Sequence, residues 1–176
     1  WIITLRGILL VAFGCYLFLV NKDGNISILL LAVLPFLAGI CGLYFLTHNH
    51  AVGQISKNWL RVESIGDILL GCAFFYLFLQ NMNTIANLRN VFAVFAILFC
   101  FMQLIFLFQI AESGFRDNAK IVLLRGLTAI GYALFGVILL YKDEGSLLSL
   151  LVSCIGAGPI LSGIACIRHF GYNLKK

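Results

Sequence analysis

The sequence predicts an all-α membrane protein, with six transmembrane helices forming three repeated antiparallel hairpins in a pseudo-threefold bundle. Three observations predict it: a surplus of apolar residues, six apolar stretches of bilayer-spanning length, and a unit that recurs along the chain. Of the 176 residues, 62% are hydrophobic and 11% charged, and the mean hydropathy is +1.04. A soluble domain carries about 25% charged residues. A core of this size could not hide so much apolar surface, so lipid is the expected solvent.

A bilayer core about 30 Å thick needs about 20 helical residues at about 1.5 Å each. Ile2–Val20, Ile26–Thr47, Trp59–Gln80, Val91–Ala111, Ile121–Tyr141 and Leu147–Phe170 all qualify. None shows the polar–apolar alternation of a membrane barrel strand. The first run lacks a small-residue cleavage site and continues as a repeat unit, so it reads as a helix rather than a cleavable signal.

The repeat is visible in the letters. Leu5-Arg6-Gly7 opens the first unit and Leu124-Arg125-Gly126 the last, while Tyr16-Leu17-Phe18-Leu19 returns as Tyr76-Leu77-Phe78-Leu79. Pro35 and Gly39 in the second stretch are matched by Pro159 and Gly163 in the sixth. Short breaks at 21–25, 81–90 and 142–146 carry Asn or Gly, which accept the left-handed backbone angles that close a hairpin. Residues 1–176 therefore read as a single polytopic domain with hairpins at about 1–47, 59–111 and 121–170. The fourth stretch departs from the pattern: it has no Gly or Pro, and Phe92, Phe95, Phe99, Met102 and Phe106 recur at helical spacing. It is expected to face lipid or an aromatic-tolerant partner, packing rather than holding a cofactor.

Charge sets the orientation. The side holding the two termini and the longer connectors has nine Lys and Arg, and the other side has only Lys22, Arg89 and Lys142. That asymmetry places both termini in the cytoplasm. The formal charge of +5 rests on few ionisable residues, so it is a membrane-orienting bias and not a nucleic-acid footprint.

The residues also resemble a known family. Trp1 followed by Leu5-Arg6-Gly7-Ile8 and Gly14, and Trp59-Leu60-Arg61-Val62-Glu63 followed by Gly66-Asp67-Ile68-Leu69-Leu70-Gly71, form two copies of one pattern. Leu124-Arg125-Gly126 with Gly136 gives a third, and Gly158 to Ile164 a closing helix. These are similar to the HdeD-like acid-resistance membrane proteins, whose unit is written three times in six helices. Nearly the whole chain is covered, apart from the missing glycines of the fourth stretch and the Arg at 125. The resemblance implies a multi-pass protein of the bacterial inner membrane, linked to acid stress and without assigned chemistry.

Four charges stand at similar places near the starts of odd-numbered stretches: Arg6, Glu63, Asp67 and Arg125. Glu63 and Asp67 are four apart and project from one helix side. Should those helices line a common axis, two cations and two anions would meet as a network; otherwise each Arg snorkels to headgroups and each acid meets water. His48, His50 and His169 are candidate pH sensors, against the plainer reading of solvated histidines. Gly7, Gly14, Pro35, Gly39, Gly158, Pro159 and Gly163 are expected to let helix backbones approach closely. The six cysteines all lie in apolar runs without a CxxC, so they read as small apolar residues.

No metal site or cofactor is expected. No nucleophile–base pair or phosphate-cradling loop is visible, and the connectors are too short to build a soluble catalytic site, so an enzyme is not expected. The expected partners are the lipid bilayer and, laterally, further copies or other membrane proteins. A small transporter or channel along the bundle axis, or an accessory subunit of a larger complex, is the alternative. Against a channel, the mid-helix polar residues Gln103, Thr128, Ser153 and Ser162 look sparse and scattered.

Overall fold

A computed structural model describes residues 2–23, 28–49, 54–81, 85–113 and 119–141, together with Ile160 and Ile164. These residues form five α-helices and no strand: α1 (Ile2–Asp23), α2 (Ile28–His48), α3 (Gln54–Leu79), α4 (Ile85–Ser113) and α5 (Ala119–Tyr141). Ile160 and Ile164 are also helical, and the rest of the sixth stretch lies outside the described residues. Three segments among the described residues are long and apolar enough to cross a membrane: Ile28–His48, Lys57–Leu79 and Asn90–Gln109.

Two helices begin well before their apolar runs. α3 starts at Gln54 rather than Trp59, and α4 starts at Ile85 rather than Val91. Hydropathy marks what lipid requires, whereas the backbone stays helical through polar residues that can meet headgroups and water. α3 stops at Asn81, whose φ of 52° is left-handed, as its amide bonds back to the Phe78 carbonyl at 3.2 Å. α2 stops where the Asn49 amide and side chain both donate to the Phe45 carbonyl, at 3.1 and 3.3 Å.

The exterior of the described residues carries many large apolar side chains. Ile8, Leu69, Leu98, Phe101, Ile105, Leu123 and Ile130 are all exposed. Such a surface is expected of a helix bundle solvated by hydrocarbon. Inside, Phe13, Leu31, Ala32, Leu70, Phe74 and Phe99 form a core shared by α1 to α4. A smaller cluster of Ile3, Phe45, Leu46 and Leu60 ties α1, α2 and α3 at one end.

Helix backbones approach closely where α2 crosses α3. A methyl group at Gly39 would meet the Ser64 carbonyl oxygen at 2.5 Å, and one at Gly71 would meet the Ala32 carbonyl oxygen at 2.8 Å. Pro35 is buried on the same helix as Gly39. Gly7 and Gly14 are buried on α1, while Gly158, Pro159 and Gly163 lie outside the described residues.

α4 decides between the two expectations for it, in favour of an aromatic-tolerant partner. Its aromatic stripe faces the bundle and not lipid. Phe92 packs on Phe74 and Phe13, with ring centroids 4.7 and 6.3 Å apart, Phe99 stacks on Tyr132 of α5 at 5.6 Å, and Phe106 stacks on Trp59 at 4.7 Å. Val94, Leu98, Phe101, Ile105 and Phe108 are the residues turned outward. In a helix apolar all round, the sequence does not distinguish lipid from core. Phe99 fills the space that Gly66 of α3 leaves open, where a methyl group would lie 3.2 Å from its Cζ.

Candidate functional site: a buried charge cluster

Arg6, Glu63 and Asp67 meet inside the bundle and are all buried. The Arg6 guanidinium, arriving from α1, donates through Nη2 to Asp67 Oδ2 at 2.8 Å, and its Nη1 lies 3.6 Å from Glu63 Oε2. Glu63 Oε1 accepts from Trp59 Nε1 one turn earlier at 3.0 Å and from Gln103 Nε2 of α4 at 2.8 Å. One cluster therefore joins three helices.

Its position follows from helix geometry. Asp67 is eight residues past Trp59 (67 − 59 = 8), where the apolar run of α3 begins. That distance is about 12 Å along the axis, close to the middle of a bilayer core about 30 Å thick. An ionisable group at such depth costs about 2.5–3.5 kcal/mol on insertion scales, and pairing with charge-assisted hydrogen bonds reduces that cost. Arg6 sits only four residues into α1 (6 − 2 = 4), so its long side chain carries the charge inward over α2. The absence of a side chain at Gly42 lets it pass: a methyl group there would lie 3.2 Å from Arg6 Cδ and would collide with Ser64 Oγ. Ser64 is fully buried and turns its hydroxyl back to donate to the Leu60 carbonyl at 2.6 Å.

Beside the charges is a cavity of about 30 Å³, lined by Leu10, Phe13, Pro35, Leu70, Phe92, Phe95, Ala96, Phe99 and Tyr132 as well as the three ionic residues. A water needs at least about 10–15 Å³ of such space, so the cavity has room for one or two waters and nothing larger.

Of the four expected network members, three come together. Arg125 lies on α5, and its side chain is outside the described residues. His48 is not part of the cluster: its ring stacks on Tyr44 at 4.2 Å, and its Nδ1 lies 2.8 Å from Thr47 Oγ1 and 3.0 Å from the Tyr44 carbonyl, at the exposed end of α2. His50 and His169 are outside the described residues. Among the described residues, no group of three or more His, Cys, Asp or Glu could hold a metal ion, and Cys15, Cys41, Cys72 and Cys100 are free thiols.

Sequence reasoning missed Gln103, Trp59, Ser64 and Gly42 as parts of this site. A signal for Gln103 was present, since it shares the helix face of Phe99 and Phe106 and is the polar residue in that stripe. Replacing Gln103 with Leu is expected to cost about 0.6–2 kcal/mol, the range measured for interhelical hydrogen bonds in bilayers. Unfolding in detergent followed by Trp fluorescence would measure it, because Trp59 shares the Glu63 acceptor.

No family model, curated protein or solved structure matches the chain.

Proposed function

We propose that this is a non-enzymatic, HdeD-like protein of the bacterial inner membrane, acting in acid or envelope stress through lateral assembly with itself or with other membrane proteins. In this reading its six helices are three hairpin repeats around a pseudo-threefold axis, and both termini are cytoplasmic. The observation that carries it is a set of buried charges that satisfy one another. Charges at bilayer depth are held by one another and by Trp59 and Gln103, and the space beside them fits a water or two. With these charges held by one another, the apolar outer faces of the described residues are what the molecule offers to others.

Arg125 is the fourth member of the cluster in this proposal. Its position falls on the same face of α5 as Thr128, Ala129 and Tyr132, of which the first two are buried and the third lines the cavity. A second cation would balance two carboxylates in a medium where net charge is costly.

A small transporter or channel is the second reading, favoured by the presence of ionisable groups at mid-bilayer depth, which commonly mark ion and proton routes. Two measurements separate the readings. In native-lipid nanodiscs the first expects particles containing more than one copy or a stable partner. In proteoliposomes the second expects ion or proton flux that Asp67→Asn abolishes. Monomers showing such flux would replace the first reading with the second, and monomers without flux would overturn both. Cysteine labelling of the termini tests the topology, since opposite sides or an odd number of crossings would sink the three-hairpin arrangement.

A further inference from the structure

We infer that a groove between α2 and α3 binds one acyl chain of a membrane phospholipid. The groove holds about 400 Å³. Ala32 of α2 and Gly71 and Cys72 of α3 make its floor, and Phe36, Phe75 and Tyr76 stand as its banks. The floor is formed where the two backbones pack together: a methyl at Gly71 would meet Phe36 Cβ at 2.7 Å and the Ala32 carbonyl oxygen at 2.8 Å.

Its length selects the occupant. From Gly71 to the lining residue Leu79 is eight residues (79 − 71 = 8), about 12 Å of helix. One leaflet of a hydrocarbon core about 30 Å thick is about 15 Å deep. Along the rest of the same crossing the notch is filled, with Ser64 and Ile68 packed onto Gly39 and Gly42. A partner helix would follow a seam through both leaflets. An acyl chain enters from the headgroups and ends at the midplane, as this groove does.

The aromatic bank fits as well. Tyr76 is 59% exposed and one turn from the end of α3, at the level where Tyr and Trp rings settle between hydrocarbon and headgroup. The inference rests on α2 and α3 crossing the bilayer; with cytoplasmic termini the groove opens to the outer leaflet.

The test uses the full chain in nanodiscs of phosphatidylethanolamine and phosphatidylglycerol, doped with phosphatidylcholine carrying a diazirine in its palmitoyl chain. After irradiation, adducts on residues 72–79 are expected at several times the level on the lipid-facing Phe101 and Ile105 of α4. Cys72→Trp, or Leu79→Trp at the mouth, should lower the α3 adducts several-fold and leave those on α4 unchanged. Equal labelling of α3 and α4, or α3 labelling that both Trp variants leave intact, would mean annular lipid only and overturn the inference. Disulfide-linked dimers of a variant whose sole cysteine is Cys72 would assign the groove to a second copy and overturn it too. Loss of labelling from both helices would instead remove the membrane reading beneath it.

Discussion

Arg6→Met is expected to cost about 3–5 kcal/mol of stability, because removing one partner of a buried ion pair leaves the other uncompensated. Two carboxylates would lose their guanidinium at bilayer depth, Asp67 with its 2.8 Å bond and Glu63 at 3.6 Å. The two acids are not equivalent. Glu63 keeps donors from Trp59 and Gln103, and the carbonyl of a Gln can still accept from them, so Glu63→Gln should cost less than Asp67→Asn. Coupling to Arg6 in a double-mutant cycle should likewise be larger for Asp67 than for Glu63. The triple variant Arg6→Met, Glu63→Gln, Asp67→Asn should regain part of the loss, since buried neutral amides carry a far smaller desolvation penalty than unpaired carboxylates. Reversible unfolding in mixed micelles measures each variant. Additive effects of Arg6→Met and Asp67→Asn would show that the two charges act independently and that the cluster is not a unit.

Legibility in the sequence divided along physical lines. Helix existence was plain, because lipid imposes about 20 apolar residues per crossing whatever their neighbours. The charges of α3 were also visible, since Glu63 and Asp67 violate that apolar rule within a single span. Which helix face points inward was harder to read. In water an apolar stripe marks the core, but in lipid both faces are apolar, and α4 gave no sign that Phe92 and Phe99 pack against α1, α3 and α5. The inward face is marked instead by small and polar residues. Gln103 is one such mark, and it touches a residue 40 positions away. Gly42 is another, and its meaning depends on Arg6 arriving from a third helix. Contacts of that kind are set by helix rotation and crossing, which no local spacing encodes.

The α2–α3 crossing carries the second large expected effect. Gly39→Ala should cost about 1–3 kcal/mol or more, the range for overpacking a close interface. The atom in the way is the Ser64 carbonyl oxygen, 2.5 Å from the added methyl, with the Ile68 amide nitrogen at 3.0 Å, and neither can move without shifting α3. Gly42→Ala meets a different obstacle. Its methyl collides with the Ser64 hydroxyl and lies 3.2 Å from Arg6 Cδ. A second change, Ser64→Ala, should therefore recover part of the Gly42→Ala loss and none of the Gly39→Ala loss. Gly126→Ala is the control: its nearest neighbour would be Leu107 Cδ1 at 4.0 Å, an ordinary contact, so the change should be neutral or stabilising by up to about 1 kcal/mol through helix propensity. Unfolding measurements on these variants also separate crowding from electrostatics. A methyl at residue 42 also touches the stem of Arg6, so Gly42→Ala should lose part of its effect in an Arg6→Ala background, which removes Cδ, while Gly39→Ala should not. Equal costs for both in that background would mean that Gly42 serves only the helix crossing and does not clear the path of Arg6 to Asp67.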